Sequence, residues 1–170
     1  MNQFRALILD DRGAAAAEMA MVAPLLLVIM FSSLELGKYF WDEHIVLKSV
    51  RDGARFASRQ SFASMPCGGP AANEDQIKNL VRYGVPVVTT ETPRMAYWDS
   101  NSTITVTITC YANAGASGAR VYNGIYSARA QVPVVNVSAT VPYTPIASMF
   151  GFRGTGLSLN GASEATVYGI

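Results

Sequence analysis

The sequence predicts an α+β protein in which one long N-terminal helix packs against a small antiparallel sheet. From residue 14 to about residue 60, apolar side chains recur at spacings of three and four, and no proline occurs between Pro24 and Pro66. Later segments alternate apolar and polar residues, which is the pattern of half-buried strands. A chain of 170 residues has room for an anchor and one further domain.

The first half of this helix, residues 14–36, is predicted to span a membrane. Met19–Leu34 contains no charged residue and measures about 24 Å as a helix, slightly less than the roughly 30 Å of a hydrocarbon layer. Adding Ala14–Ala17 gives sufficient length, but it draws Glu18 into the layer or its inner boundary. A charged side chain at the centre of a span costs about 3 kcal/mol or more, so Glu18 needs a partner.

The second half, residues 37–63, is predicted to be an amphipathic extension that covers the sheet. One face carries apolar residues at helical spacing, with Glu43 as the only polar interruption. These residues are Leu36, Phe40, Leu47, Val50, Ala54 and Ala57. Pro24, in the membrane half, removes one backbone hydrogen bond and is expected to kink the helix.

Residues 64–170 are predicted to form an α+β domain. Asn73 and Gln76 have the spacing of a capping box at the start of a short helix, which Gly84 would end. The expected succession is a loop at 64–72, this helix, an extended region at 85–98, and strands at Ser102–Tyr111, Val132–Val141 and about Leu157–Tyr168. The long segment between the first two strands is rich in Gly, Ala and Tyr, and is expected to be an exposed loop.

The two cysteines, Cys67 and Cys110, lie 43 positions apart without a second Cys or His pair, so their spacing is no zinc signature. If the domain is exported, a disulfide between them is the natural interpretation, and it would stabilise the fold by about 3 to 4 kcal/mol. The alternative is a pair of buried, unpaired thiols.

No group of residues predicts catalysis or a bound cofactor or metal. His44 is the only histidine, the acidic residues are scattered, and no glycine-rich turn has the form of a phosphate site. The net charge is +1, and no basic stripe interleaved with aromatic residues stands out, which argues against nucleic acid as a partner. The sequence therefore predicts a protein that is not an enzyme.

The segment RGAAAAEMAMVAPLLLVIMFSSLE at 12–35, followed by VRDGARFAS at 50–58, resembles the N-terminal signature of TadE-like minor pseudopilins of the Flp/Tad (tight-adherence) pilus. This resemblance implies a pilin-like fold and a prepilin-type (class III) signal. Residues 1–13 would be a cytoplasmic leader that a prepilin peptidase removes after Gly13. Met19 departs from the family, which prefers Tyr or Phe after the glutamate.

Cleavage would leave the amine of Ala14 as the new terminus, mostly cationic at neutral pH. The resemblance implies that Glu18, then the fifth residue, pairs with this amine on a neighbouring subunit. Pairing within one chain remains open, because residues 14 and 18 are one helical turn apart. Pro24 would either allow local melting during packing or be an inert bend.

The resemblance also implies the setting of the protein. Its expected partners are the lipid bilayer, the prepilin peptidase, other pilin or pseudopilin subunits, and the inner-membrane assembly platform. The expected topology is a single pass with residues 64–170 in the periplasm. Lysines and arginines after the span oppose this orientation, although long domains cross membranes largely regardless of charge.

Two alternatives remain at this point. One is a simple anchor that is never cleaved, and the other is a membrane-anchored periplasmic binding module that does not enter a fibre. The N-terminus of the mature chain distinguishes both from a processed pilus subunit.

Overall fold

The computed structural model describes residues 12–115, 118–150 and 156–169. The helices and strands, in chain order, are α1 (Arg12–Ser58), α2 (Glu74–Tyr83), β1 (Ile104–Ala112), β2 (Gln131–Pro142) and β3 (Ser158–Thr166). Short 3-10 turns lie at Asn101–Thr103, Gly124–Tyr126 and Ile146–Phe150. The chain divides into two compact units, which we call unit 1 (up to Lys38) and unit 2 (from Tyr39).

Helix α1 confirms the predicted long helix, and it ends at Ser58, close to the expected end at about residue 60. The helix closes because the N–H groups of Arg59 and Gln60 bond three residues back, to the carbonyls of Phe56 and Ala57. The freed carbonyl of Ser58 accepts a 2.7 Å bond from the N–H of Tyr168, just beyond β3. The last strand thus holds the end of the helix in unit 2.

The sheet is antiparallel in the order β1-β2-β3. Ile108 of β1 pairs with Val135 of β2, and Val137 of β2 pairs with Ser163 of β3. The predicted alternation is confirmed, because the inward residues of β2 are at most 2% exposed: Val135, Val137, Ala139 and Val141. The α+β fold class and the three strands are therefore correct.

The face of α1 that packs on the sheet differs in part from the predicted stripe. Val50, Ala54 and Ala57 are buried as expected, but Leu36 and Phe40 are 55% and 52% exposed. The buried face continues instead through Val46 and the polar residues Asp42 and Ser49. Glu43 is therefore not the only polar interruption, and the prediction failed because it selected residues by hydropathy alone.

Both buried polar residues have partners in unit 2, which is why the helix tolerates them there. Asp42 Oδ2 accepts a 2.6 Å bond from the Tyr97 hydroxyl. Ser49 Oγ donates to the carbonyl of Ile45 at 2.7 Å and accepts a 3.2 Å bond from Arg94.

Helix α2 begins after Asn73 as predicted, but the capping box does not form. The Asn73 side chain makes no capping bond, and its Oδ1 is buried without a partner among the described residues. The helix end is as expected, since Gly84 adopts φ +87° and its N–H bonds to the carbonyl of Leu80. Ile77 faces the core and is fully buried.

The segment 85–98 is irregular and contains no strand, although we expected an extended region there. It carries Trp98, which is fully buried and the largest such side chain among the described residues. The indole N–H donates to Thr103 Oγ1 at 2.8 Å, so its one polar atom is satisfied.

Candidate functional site

The candidate site lies in unit 1, where α1 presents apolar side chains outwards. Every large apolar residue between Met19 and Leu34 is at least 47% exposed, including Leu25 at 61% and Val28 at 63%. Within the described part of the chain, this is the one helix long and apolar enough to cross a membrane. By length and composition, the segment is suited to a lipid or helical environment rather than to water.

Gly13, Ala14 and Glu18 all lie within the helix and are exposed. A Cβ atom at Gly13 would have no heavy atom within 4 Å, so the backbone at the predicted cleavage point is open on that side. Glu18 follows Ala14 by four residues, which places both on one face of the helix. Among the residues that the structure describes, the Glu18 carboxylate has neither an ion pair nor a hydrogen bond.

Pro24 lies inside α1, which continues through it without interruption. Proline has no N–H, so the carbonyl of Ala20 lacks its usual helical donor. Ser33 makes a side-chain bond of the kind that membrane helices use, from its hydroxyl to the carbonyl of Ile29 at 2.8 Å. The consequences of Pro24 for packing remain a prediction.

The part of α1 in unit 2 makes polar contacts with segment 85–98, in addition to its contacts with the hydrophobic core. Arg94 bonds Asp52 at 3.0 Å and Ser49 at 3.2 Å, and Tyr97 bonds Asp42 at 2.6 Å. Burial, and then the bond to Asp42, raises the pKa of Tyr97 above its ordinary value. These contacts attach the irregular segment 85–98 to the helix.

Cys67 and Cys110 form a disulfide, with their Cα atoms 5.8 Å apart. The predicted pairing is therefore present, and the alternative of two free thiols is wrong. The bond joins the loop after α1 to β1, and Cys110 lies on the inward side of that strand as expected. It closes a 43-residue loop around α2 and Trp98.

A buried asparagine that the sequence analysis missed organises the long loop after β1. Asn113 is fully buried, and its amide donates to the carbonyls of Tyr122, Tyr126 and Arg129 at 2.8–3.2 Å. Its Oδ1 accepts a 2.6 Å bond from the N–H of Tyr122. No local sequence signal could have revealed this role, because the partners lie 9 to 16 residues away.

A shallow groove forms where this loop meets the outward side of the sheet. Its walls are Tyr111, Tyr122, Tyr126, Val132, Val134, Thr166 and Tyr168. The hydroxyl of Tyr126 donates to the carbonyl of Val167 at 2.7 Å, and burial raises the pKa of this tyrosine. Among the described residues that line the groove, none carries a charged side chain.

The described residues contain no group of three or more His, Cys, Asp or Glu side chains that could hold a metal ion. His44 lies on the exposed side of α1. Lys48, Arg51, Arg55 and Arg59 are exposed as well, and they follow His44 at helical spacing. The surface of α1 and the turn after it therefore carry a basic stripe, which the sequence analysis had not singled out.

The family model described as TadE-like protein matches residues 13–55. The match starts at Gly13, includes Ala14, Glu18 and Pro24, and extends across unit 1 into the part of α1 that packs on the sheet. The resemblance inferred from the sequence is confirmed over this segment, and the match indicates a protein associated with the Flp/Tad pilus. The chain matched no curated protein and no solved structure.

Proposed function

We propose that this chain is a non-catalytic minor pilin or pseudopilin of a Flp/Tad-type pilus, acting in assembly, initiation or the fibre tip. One observation carries the proposal. The exposed apolar stretch of α1 starts directly after Glu18, a carboxylate without an ion pair or hydrogen bond among the described residues, and it lies within the segment that matches TadE-like proteins. Such a helix is suited to exchanging lipid for the helices of neighbouring subunits.

In this mechanism the prepilin peptidase cuts after Gly13. The new amine of Ala14 is then the cationic partner of the Glu18 carboxylate. A carboxylate in an apolar layer is costly unless it is paired, so the pair favours the one register in which amine and carboxylate meet. A subunit docked one turn out of register would leave both charges unpaired. Glu18 would therefore select correct docking more than it would add to affinity.

The proposed topology places the N-terminus in the cytoplasm and unit 2 in the periplasm. The disulfide supports it, because such bonds persist in oxidising compartments and are rare in the cytoplasm. This topology requires three partners: the inner-membrane bilayer, the assembly platform and the peptidase. Alkylation of free thiols in rapidly quenched cells tests it: we expect both cysteines to be blocked, and free thiols would contradict export.

The mass of the chain extracted from membranes tests the processing step. We expect a mature protein that starts at Ala14 in cells that contain the prepilin peptidase, and the full chain in cells that lack it. A full-length chain in both strains would show that no cleavage occurs, and the fibre-subunit proposal would fail.

The substitution Glu18→Ala tests the docking step. We expect normal membrane insertion and loss of pilus assembly, because removing the carboxylate makes the apolar segment easier to insert and removes the pair. The matched control is Glu35→Ala at the opposite end of the apolar run, which should retain assembly. Wild-type piliation in Glu18→Ala would refute the mechanism.

The second candidate is an anchored periplasmic binding module that never enters a fibre. The uncharged tyrosine groove of unit 2 favours it, because concave apolar surfaces with a few polar groups are typical of ligand sites. An intact Met1 in the mature protein, together with assembly that does not depend on Glu18, would support this module over the pilus subunit.

A further inference from the structure

The exposed side of α1 in unit 2 carries a continuous row of cations. Lys48, Arg51, Arg55 and Arg59, which we call the cationic row, are all exposed. The first three lie within about 60° of the circumference of α1, and Arg59 follows in the turn directly after the helix end. Its helical part, from Lys48 to Arg55, is about 10 Å long at 1.5 Å per residue. None of these four side chains makes an ion pair with another described residue.

The acidic residues that lie near these cations in the sequence do not neutralise them. Asp42 is buried against Tyr97, and Glu43 lies on another side of the helix. Asp52 borders the row, but its carboxylate bonds Arg94 at 3.0 Å. The row therefore keeps its positive charge, although the chain as a whole is nearly neutral.

We propose that the cationic row is a docking surface for an acidic helix of a different protein in the assembly. The inference rests on the proposed function for its setting, because packing between helices is how a pilin-like subunit joins its neighbours. The row faces outwards on the part of α1 that unit 2 contains, so a helix that lies beside this part would meet it. Glutamates at spacings of three and four match this arrangement.

A second copy of this chain does not provide that partner. Its own helix offers no acidic row, and two copies packed along this face would place like charges together. The row would therefore oppose contact between identical subunits and favour an unlike neighbour. This is the behaviour expected of a subunit present in few copies.

A lipid surface is also less suited to this face. Interfacial helices insert an apolar face below the headgroups, but the apolar face of this segment is already used. Val46, Val50 and Ala57 are fully buried in the core of unit 2. What remains outside beyond Trp41 is charge at helical spacing, which fits an opposing row of carboxylates.

The test uses the full chain in nanodiscs of neutral phosphatidylcholine and two synthetic helical peptides of identical composition. One peptide carries its glutamates in a single row at spacings of three and four, and the other distributes them around the helix. We expect the row peptide to bind about tenfold more tightly, and its affinity to fall as salt rises. Equal binding of both peptides would mean non-specific attraction and would overturn the proposal.

Variants locate the binding on the row. The double substitution Lys48→Gln with Arg55→Gln should weaken binding of the row peptide about five- to tenfold, as expected for two exposed ion pairs. The control, Lys78→Gln with Arg120→Gln, removes the same charge elsewhere and should change it less than about twofold. An equal effect of the two double variants would overturn the proposal.

Two further probes test whether other polyanions bind the cationic row. Vesicles containing phosphatidylglycerol, or a single-stranded DNA oligonucleotide, should bind more weakly than the row peptide and depend equally on both double variants. Tighter, row-dependent binding of either probe would overturn the protein partner in favour of lipid or nucleic acid. None of these measurements depends on cleavage or piliation, so their failure is distinct from failure of the proposed function.

Discussion

Helix α1 is continuous, but the exposure of its apolar side chains differs between unit 1 and unit 2. In unit 1 every large apolar residue from Met19 to Leu34 is at least 47% exposed, whereas in unit 2 Val46, Val50 and Ala57 are fully buried. The difference comes from what each part can pack against. Unit 2 has a sheet, a second helix and the segment 85–98 to cover the apolar face, whereas the described residues of unit 1 contain no second helix or strand.

This contrast shows that a helical pattern alone does not determine burial. A helix that is apolar all round needs lipid or other helices, and a helix with a polar side needs only one covering layer. Unit 1 is of the first kind and unit 2 of the second. Substitutions at buried and exposed positions, and at the contacts within unit 2, test this contrast.

The largest effect is expected at the tryptophans. Trp98 is fully buried, whereas Trp41 is 69% exposed. Trp98→Ala should lower the free energy of unfolding of unit 2 by about 3 to 5 kcal/mol, because it leaves a cavity in the core. Trp41→Ala should change it by less than about 0.5 kcal/mol, and urea unfolding followed by far-ultraviolet circular dichroism measures both.

The burial of Trp98 could not be predicted from the sequence. The strands were predictable because Ile104 to Cys110 and Val135 to Val141 alternate, and the alternation itself encodes which side is buried. Segment 85–98 has no periodicity, so nothing local indicated that its last residue would be the largest in the core. Its position is set by contacts with α1 and α2 that only the folded chain brings together.

The functional residues also differ in how far the sequence could predict them. The roles of Gly13, Ala14 and Glu18 follow from a resemblance to a known family and remain predictions, whereas the predicted cysteine pair is confirmed. The cationic row was not predicted, because Asp42, Glu43 and Asp52 lie near these cations in the sequence and the charges had not been placed around the helix. Asp42 and Ser49 were missed on the buried face because hydropathy contains no information about a partner such as Tyr97 or Arg94.

The second expected effect concerns the disulfide, which only unit 2 contains. Replacing both cysteines, Cys67→Ser with Cys110→Ser, should lower the stability of unit 2 by about 3 to 4 kcal/mol, because the bond restricts a 43-residue loop in the unfolded chain. Unfolding of the wild type in dithiothreitol should approach that of the double variant. An unchanged midpoint under reduction would mean that the loop is held equally well without the bond.

The third effect compares two valines of equal exposure. Val28 in unit 1 is 63% exposed and Val87 in unit 2 is 64% exposed. Val28→Arg should weaken membrane insertion by about 2.5 to 3.5 kcal/mol, since it places a cation within the apolar run. Val87→Arg should leave insertion unchanged, and the fraction retained in membranes after carbonate extraction measures both; equal retention of the two variants would contradict a spanning role for unit 1.

The smallest expected effect is at the contact that holds segment 85–98 to α1. Tyr97→Phe removes the 2.6 Å bond to Asp42, and it should lower the stability of unit 2 by about 1.5 kcal/mol at neutral pH, as expected for a hydrogen bond to a charged group. Burial and the bond to Asp42 raise the pKa of Tyr97 in the folded state. The folded chain therefore holds this proton more tightly than the unfolded chain does.

That difference gives the pH dependence a definite sign. The stability due to the Tyr97 proton is fully present below the ordinary tyrosine pKa of about 10, and it is lost progressively as the pH rises above that value. Unfolding measured between pH 8 and about 11 should show a smaller loss of stability in Tyr97→Phe than in the wild type. Some loss should remain in the variant, because the pKa of Tyr126 is raised as well. An identical pH profile in both proteins would mean that the contact between segment 85–98 and the helix does not depend on this proton, and that Arg94 and the buried Trp98 hold the segment without it.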